Sequence, residues 1–568
     1  MLDFRPMRLI PLRLWAMAVL SAVLQVLPFP IAGPVPVWRT TFCWIALLPL
    51  IWAILANDKN DNPLTLRQAA ALGYLCGFVW YLGNCYWIYQ TMYLYGGLAK
   101  PIAAGILILF CLYLGLYHAL FSTLLAAFRN RFGRQLALVF VPFAWVAVEL
   151  ARARITGLPW DLLGIAQVDN PMLTRLAPIT GAYGLSFVIA AVNALWLVRI
   201  RLRERRYTRP ALTVAGVIIV VVYILGLRLI ANPKPSPTAA TATLVQENLE
   251  VGAANTGPQP TTQQFLDSFS YLSRYPSKKF LLGTPELPGT QTVYLLRPRA
   301  DESDDTIPAA TNLIVWPESP APFEDIDPQF RSAMSALARS AQAPIIVGNI
   351  GFEPNPANKS GYTPYNRASF INPDGTFIGH YDKMHLVPFG EYVPFKEFFF
   401  FAKNLLNEVG TFEPGAQRTV FSTGGHTYGV FICYESIFGD EIRQFSRNGA
   451  EFLVNISDDG WYGDSGAPWQ HLNMVRMRAV ENRRWILRAT NTGITTAIDS
   501  RGQIAFEAPR HVRGAFAFPF EYVPSNTGTR YTKYGDWFAS LCALVTAAAL
   551  IAARIKWTMP AWFRPNPS

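Results

Sequence analysis

The segment Val430-Phe-Ile-Cys-Tyr-Glu-Ser436 places one cysteine at the end of an apolar run, directly before a polar turn. Sheets that carry helices on their faces present reactive side chains at the carboxyl ends of their strands. We therefore predict a strand that ends at Cys433. The sharp turn after it leaves the backbone N–H of Tyr434 free to face an oxyanion, so the segment indicates a nucleophile in an α/β protein.

Two further predicted strands end in ionisable groups. Leu313-Ile-Val-Trp-Pro-Glu318 ends in a carboxylate, and a segment from His380 to Glu391, which follows another strand and a turn, carries Lys383. A free cysteine thiol has a pKa of about 8.5, so it needs a base to react near neutral pH. A carboxylate can be that base, and a lysine can stabilise a developing oxyanion.

Around these segments, short β-rich runs alternate with helical patterns, which predicts an α/β layer sandwich between about residues 232 and 533. We also predict one helix, Gln470–Asn491, and two loops, Gly252–Gln263 and Thr284–Ala310. The predicted strands are Ala242–Gln246, Asn312–Trp316, Pro344–Gly348, Arg367–Ile371, Thr427–Cys433, Phe452–Ile456 and Gly493–Asp499.

The composition separates this region from the rest of the chain. The 568 residues are 51% hydrophobic and only 15% charged, against about 25% charged in an ordinary soluble protein. These values exclude a disordered chain, a coiled coil and a disulfide scaffold, and they argue against an ordinary cytosolic enzyme. Long apolar runs fill the chain up to about Ala231, and one more follows Lys533.

The apolar runs predict about eight membrane-spanning helices, because a spanning helix needs about 20 mostly apolar residues. Lysine and arginine concentrate in alternate loops, which places both termini in the cytoplasm and residues 232–533 outside it. We interpret Arg199–Arg209, which holds six arginines, as part of this topology signal and not as a nucleic-acid site. The windows are Leu14–Val37, Thr40–Asn57, Gln68–Ala99, Pro101–Phe128, Gln135–Val148, Leu176–Val198, Pro210–Leu227 and Trp537–Ala553.

Three domains follow from this division. Residues 1–231 are predicted to be a membrane domain of about seven helices, residues 232–530 a catalytic domain, and residues 531–568 a last spanning helix with a cytoplasmic tail. Of the six cysteines, only Cys433 lies in the extramembrane domain. A lone thiol in an oxidising compartment is either buried and inert or kept for its chemistry.

The three ionisable residues lie in motifs that resemble a known group of enzymes. Trp-Pro-Glu318, Tyr-Asp-Lys383 and Cys433-Tyr-Glu look like the Glu–Lys–Cys triad of the nitrilase (carbon–nitrogen hydrolase) superfamily. Lys383–Pro394, Cys433–Phe438, Asp459–Gly463 and Thr156–Gln167 resemble its membrane branch, the apolipoprotein N-acyltransferase family. One departure is Ser457-Asp-Asp459, where that family usually has Ser-Asn-Asp.

The resemblance implies an αββα sandwich and a bacterial inner-membrane enzyme whose catalytic domain faces the periplasm. It implies a phospholipid acyl donor, a diacylglyceryl-cysteine apolipoprotein as acceptor, Cys433 as nucleophile, Glu318 as base and Lys383 at the oxyanion. No metal or organic cofactor is expected. Glu391, Tyr434 and Glu435 are supporting candidates. Candidates for substrate or lipid contact are Phe398, Phe399, Phe400, Phe401 and Trp461.

Two alternatives use the same residues differently. A membrane-tethered amidase or nitrilase would hydrolyse small amides with the same triad, but the predicted spans argue against it because a soluble amidase needs none. A non-catalytic membrane scaffold would not need the intact triad.

Overall fold

The computed structural model describes residues 10–57, 62–201, 239–252, 260–276, 311–319, 321–358, 360–388, 390–392 and 412–554. The chain forms two compact units. One comprises Met1–Tyr89, Ala99–Leu229 and Asp536–Ser568, and the other comprises Gln90–Leu98 and Ile230–Gly535. The short segment Gln90–Leu98 therefore folds with the second unit although apolar helices precede and follow it.

The first unit is helical. Lys100–Ala151 contains two helices that meet at Gly133, whose φ of 83° is a left-handed conformation that glycine adopts readily. Short π and 3₁₀ turns follow at Arg152–Thr156, Leu163–Gln167 and Thr174–Leu176. The α-helices up to the second unit and after it are Leu12–Val26, Val37–Thr40, Cys43–Ala46, Leu48–Leu55, Leu66–Asn84, Trp87–Gln90, Lys100–Ala151, Ala177–Thr180, Ala182–Arg201 and Trp537–Arg554.

Three helical stretches among the described residues are long and apolar enough to cross a membrane: Val37–Leu55, Lys100–Thr156 and Trp537–Arg554. Leu12–Val26 and Ala182–Leu197 are apolar but shorter. The predicted span Pro210–Leu227 lies outside the described residues. The described part of the N-terminal region therefore contains apolar helices, as the composition predicts, whereas the number of eight spans stays a prediction.

The second unit contains two six-stranded sheets. Their strand orders are β12-β1-β2-β3-β4-β5 and β11-β10-β9-β8-β7-β6. In each sheet a parallel centre, β1-β2-β3 or β7-β8-β9, continues into antiparallel neighbours. The strands are β1 (Ala239–Gln246), β2 (Leu313–Val315), β3 (Ile345–Pro354), β4 (Tyr362–Ile371), β5 (Phe377–Asp382), β6 (Val420–Thr423), β7 (His426–Ile432), β8 (Phe452–Ser457), β9 (Ile486–Thr490), β10 (Thr496–Ile498), β11 (Ile504–Glu507) and β12 (Gly514–Glu521).

Helices and aromatic rings bury the faces of these sheets. Thr262–Arg274 and Pro328–Ala341 pack their apolar sides against the first sheet, in a core that includes Trp316. Gly439–Arg447 and Ala467–Asn482 accompany the second sheet, and Arg530–Tyr534 follows β12. Rings of one sheet meet rings of the other, as where Phe370 on β4 stacks on Phe421 of β6. The two inner faces thus share one apolar layer, in an α/β sandwich.

All seven predicted strands overlap observed ones, and five more, β5, β6, β9, β11 and β12, were not predicted. The predicted helix Gln470–Asn491 is wrong at its end. The helix ends at Asn482 because Arg483 adopts φ 53°, and Ile486–Thr490 then forms β9 between β8 and β10. The predicted loop Gly252–Gln263 is also too long, since a helix begins at Thr262 behind a capping box made by Thr261 and Gln264. Thr284–Ala310 lies outside the described residues.

Candidate active site

Cys433 lies directly after β7, in the 3₁₀ turn Cys433–Ile437. Its φ of 47° is in the left-handed region, which non-glycine residues rarely adopt. The side chain is buried, with 6% of its surface exposed. The predicted strand and turn at this cysteine are present, and the strand ends one residue earlier than predicted, at Ile432.

Glu318 lies two residues beyond the tryptophan that follows β2, and it is 7% exposed. Its Oε1 accepts hydrogen bonds from Lys383 Nζ at 2.9 Å and from Asn366 Nδ2 at 2.8 Å. Its Oε2 accepts one from the backbone N–H of Asp458 at 2.9 Å. The donors that hold the two carboxylate oxygens thus come from three places: strand β4, the residue after β5 and the residue after β8.

Gly348 on β3 makes room for the Glu318 turn. A Cβ at this position would meet the carbonyl oxygen of Pro317, and would lie 2.6 Å from Ser319 N and 2.8 Å from Glu318 Cα. These neighbours are backbone atoms, which cannot rotate away. The close approach of β3 therefore requires glycine here, and it determines where the Glu318 backbone lies.

Lys383 follows β5 and is 1% exposed. Its Nζ donates to Glu318 Oε1 at 2.9 Å and to Glu391 Oε1 at 3.0 Å. Burial by itself would lower the pKa of this amine, but the Glu318 and Glu391 carboxylates outweigh burial and raise the pKa well above its usual value. Lys383 is therefore a fixed ammonium group between two carboxylates.

Glu391 and Asn366 complete this arrangement. Asn366 on β4 donates through Nδ2 to Glu391 Oε1 at 2.6 Å as well as to Glu318. The other Glu391 oxygen accepts the backbone N–H of Val387 at 2.7 Å. Glu391 thus lies against Lys383, and its supporting role stays a prediction.

Glu435 occupies a different position from Glu391. It is 2% exposed, and its Oε1 accepts hydrogen bonds from the Tyr381 hydroxyl and the Met384 N–H, both at 2.7 Å. Its Oε2 accepts the backbone N–H of Ile432 at 2.7 Å. Glu435 therefore ties the segment that carries Lys383 to the end of the strand that carries Cys433.

The Tyr434 side chain packs in the interior. Its ring meets Phe438 edge-to-face at 5.4 Å between centroids, and burial raises the pKa of its phenol above the usual value. These contacts give the ring a packing role. The group of Tyr434 that the sequence predicts to face an oxyanion is its backbone N–H.

The environment of the Cys433 thiol disfavours the thiolate at rest. Burial raises its pKa well above the usual value, and the charges of Glu318 and Asp459 act in the same direction. The Lys383 ammonium and a hydrogen bond with Ser457 act against them. The resting thiol is therefore protonated, and its reaction requires a base that takes the proton.

The candidates for lipid contact are distributed differently. Trp461 lies in the 3₁₀ turn Asp459–Tyr462 and is 43% exposed. Its carbonyl oxygen accepts a hydrogen bond from Thr91 Oγ1 at 2.9 Å, in the π-helical turn Thr91–Tyr95 of the same unit. Phe398, Phe399, Phe400 and Phe401 lie outside the described residues.

Sequence reasoning missed two residues that contact Glu318. Asn366 lies one residue before the predicted start of its strand, and nothing in its neighbourhood distinguishes it. Asp458 was noticed only as a departure from a family pattern. Burial, together with the charge of Glu318, raises the pKa of the Asp458 carboxyl to about 7.

The two-sheet α/β sandwich defines the class of protein. Residues 293–515 match the family model described as Carbon-nitrogen hydrolase, and residues 21–195 match the one described as Apolipoprotein N-acyltransferase N-terminal domain. A solved structure, Nit3 of Saccharomyces cerevisiae, a member of branch 10 of the nitrilase superfamily, aligns with 50% of this chain and 90% of its own at 19% identity and a TM-score of 0.34. The match of residues 293–515 places a carbon–nitrogen hydrolase domain within the second unit.

Full-length relatives specify the family. A protein of Geobacter metallireducens named apolipoprotein N-acyltransferase is 35% identical over 97% of this chain and 98% of its own length. One of the same name from Methylococcus capsulatus is 33% identical over 88% of this chain and 89% of its own. The chain belongs to the apolipoprotein N-acyltransferase family.

Proposed function

We propose that this protein transfers a fatty acyl chain from a membrane phospholipid to the N-terminal amine of a diacylglyceryl-cysteine apolipoprotein, which completes lipoprotein maturation. Membership of the family supports the reaction. The observation that supports the site is the direct contact of Lys383 with Glu318 in a buried cluster whose charges act on the Cys433 thiol.

The first half-reaction forms a thioester. Glu318 takes the thiol proton as the sulfur of Cys433 attacks the ester carbonyl carbon of the phospholipid. The Lys383 ammonium and the Tyr434 N–H stabilise the oxyanion of the tetrahedral intermediate. The intermediate expels the lysophospholipid, whose alkoxide oxygen takes the proton back from Glu318.

The second half-reaction transfers the acyl group to nitrogen. The neutral amine of the lipoprotein attacks the thioester carbonyl, and Glu318 accepts the amine proton. An α-amino group has a pKa near 8, so some neutral amine is available at pH 7. The thiolate leaves, and Glu318 returns the proton to it. Neither half-reaction uses a metal or an organic cofactor.

The proposed setting is the bacterial inner membrane. Residues 1–231 would supply about seven spans and residues 531–568 the eighth, with both termini in the cytoplasm and the catalytic domain, residues 232–530, on the periplasmic side. Three apolar helices of spanning length support a membrane location. Both substrates are lipids of that membrane, so a tethered catalytic domain meets them at its surface. Phe398–Phe401 and Trp461 are proposed to contact the lipid.

The amidase alternative has the same triad but water as the second acceptor. The relatives named above as apolipoprotein N-acyltransferases align with this chain over nearly their full length. The match includes the helical unit, which a small-amide hydrolase would not need. These observations favour acyl transfer.

The test is intact-mass analysis of the purified protein after incubation with phospholipid. We expect one acyl adduct on the wild type and none on Cys433→Ser or Cys433→Ala, because a carboxylate base does not ionise an alcohol of far higher pKa. Addition of a diacylglyceryl-cysteinyl peptide should discharge the adduct with formation of the triacylated peptide. Discharge to free fatty acid alone would favour hydrolysis, and turnover by either Cys433 variant would contradict the covalent route.

A further inference from the structure

The turn that carries Cys433 needs an external restraint. Cys433 adopts φ 47°, a strained conformation that a non-glycine residue keeps only where the surrounding structure holds it. A restraint on the carbonyl group of Cys433 would hold the turn most directly, because that group belongs to the peptide that leads into Tyr434.

His471 supplies a contact to this carbonyl. Its Nε2 lies 3.0 Å from the carbonyl oxygen of Cys433. A carbonyl oxygen only accepts, so Nε2 carries the proton and donates it. His471 lies on the helix Ala467–Asn482 and is fully buried. The donor therefore comes from an element that is separate from the strand and turn it restrains.

Two charged residues orient the imidazole ring. His471 Nδ1 lies 2.9 Å from Asp459 Oδ1 and 3.2 Å from Arg488 Nη2. With a proton on Nδ1, the ring donates to Asp459. Without one, Nδ1 accepts from Arg488. In both forms the proton on Nε2 stays, so the contact to Cys433 does not depend on the charge of the ring.

The orienting residues are themselves fixed. Arg488 on β9 and Asp459 are fully buried and pair through Arg488 Nη2 and Asp459 Oδ2 at 2.5 Å. Ser457 Oγ donates to Asp459 Oδ1 at 2.9 Å, and the other terminal nitrogen of Arg488 donates to Asn455 Oδ1. Burial alone would raise the pKa of Asp459, but Arg488 and His471 outweigh it and hold the pKa well below the usual range. Asp459 is therefore a permanent acceptor.

The same network reaches the base. Asp459 directly follows Asp458, whose backbone N–H donates to Glu318 Oε2 at 2.9 Å. A displacement of Asp459 would therefore move the donor that holds Glu318. His471 contacts the nucleophile turn on one side and this segment on the other.

We propose that His471 is a positioning residue that sets the nucleophile turn relative to the base, through the Cys433 carbonyl and through Asp459. The inference rests on Cys433 as the nucleophile of the proposed function. It assigns His471 no contact with substrate. Its effect is on the geometry of attack, where a misplacement of about 1 Å can cost about a hundredfold in rate.

Two amide substitutions separate the contacts. A glutamine side chain reaches about as far as Nε2 of histidine, so His471→Gln keeps a donor for the Cys433 carbonyl. An asparagine side chain reaches only about as far as Nδ1, so His471→Asn keeps a partner for Asp459 and loses the carbonyl contact. The rate of acyl-adduct formation is measured with a water-soluble short-chain ester, per folded molecule, over a range of ester concentrations.

We expect His471→Asn to lower the limiting acylation rate by about ten- to a hundredfold with an unchanged half-saturating ester concentration. His471→Gln should recover most of the rate. His426→Gln is the control, since His426 lies at the opposite end of the same strand β7, where it pairs with Glu451. It should react like the wild type.

Equal rates for His471→Asn and the wild type would overturn the positioning role. So would a His471→Gln rate as low as that of His471→Asn, because the carbonyl contact would then not be the one that matters. A wild type that forms no adduct at all would contradict the proposed function instead. Thermal unfolding of each variant gives the folded fraction, and a rate per folded molecule equal to the wild type in a destabilised variant would make His471 structural.

Discussion

Lys383 Nζ and Glu318 Oε1 lie 2.9 Å apart, and both side chains are almost completely buried. Glu391 lies at 3.0 Å on the same ammonium group. One lysine thus neutralises part of the charge of two carboxylates that are largely withdrawn from water. Removal of either member of a buried pair leaves an uncompensated charge, which costs about 3–5 kcal/mol. Variants at these positions must therefore be compared per folded molecule.

Lys383→Met and Glu318→Gln should each slow formation of the acyl adduct at least about a hundredfold. Loss of an oxyanion donor costs about 10²–10³ in rate, and loss of general acid–base catalysis about 10²–10⁴. Pre-steady-state adduct formation measures this. Lys533→Met makes the same change at an exposed lysine of the same unit and should leave the rate unchanged. A normal rate in Lys383→Met would make Lys383 a structural residue.

Gly348→Ala should displace Glu318, the proposed base, without changing its side chain. The new Cβ would lie 2.6 Å from Ser319 N and 2.8 Å from Glu318 Cα, so either β3 or the Glu318 turn has to move. We expect a folded protein with adduct formation slowed by about tenfold or more, since small displacements of catalytic groups are costly. Gly528→Ala is the control, because a Cβ there meets nothing within 4 Å. Equal rates in the two variants would show that the turn tolerates the displacement.

Asp458→Asn should change how stability depends on pH. The folded protein keeps a proton on Asp458 up to about pH 7, whereas an unfolded chain releases it near pH 3.9. Unfolding between these values releases that proton, so this carboxyl lowers stability as pH rises from about 4 to about 7 and adds no further change above. Asp458→Asn should remove this part of the slope.

Thermal unfolding midpoints in detergent from pH 4 to 8 test this expectation. Asp464→Asn makes the same substitution at an exposed aspartate in the following loop, with 78% of its side chain accessible, and is the control for the change of residue itself. Parallel profiles for the wild type and Asp458→Asn would mean that the Asp458 carboxyl is already ionised in the folded protein at low pH.

The proposed topology is open to a direct experiment. Reporters fused after residue 230 and after Ser568 should report opposite sides of the membrane, because loop charges place the first site outside and the C-terminus inside. A cytoplasmic signal at both sites would contradict the predicted number of spans and the periplasmic location together. Each site is fused separately to a reporter that is active only in the cytoplasm and to one that is active only in the periplasm. Activity of one of the two at every site excludes loss of expression as the cause of a missing signal.

The residues at strand ends were predictable because the pattern that locates them lies within a short stretch of sequence. Cys433 and Glu318 each follow an apolar run and precede a turn, and both properties are visible within seven or eight residues of sequence. Such patterns locate a side chain at the edge of a sheet before the order of the strands is known. The Glu–Lys contact itself followed from a resemblance to known motifs and not from periodicity.

The hydrogen-bond network around Cys433 was not predictable in the same way. Arg488 is fully buried in β9, where a charged residue argues against a strand in any pattern based on hydrophobicity. For this reason the sequence pattern predicts a helix that runs on to Asn491, past its observed end at Asn482. Arg488 is stabilised by Asp459 and Asn455, which belong to other elements. Asn366 was missed for a related reason, since its two carboxylate partners are 48 and 25 residues away in the chain.

The membership of Gln90–Leu98 in the second unit determines what a truncated protein would contain. The chain passes between the units at residues 89–90, 98–99, 229–230 and 535–536. A fragment cut at the last two boundaries would look like an excised hydrolase domain, but it would lack Thr91, which holds the Trp461 carbonyl, and Tyr95, whose hydroxyl lies against Gly463. The turn after β8 would then lose its contacts with these two residues. A fragment that keeps this unit intact would have to retain Gln90–Leu98, so the second unit is discontinuous in sequence although it is compact in space.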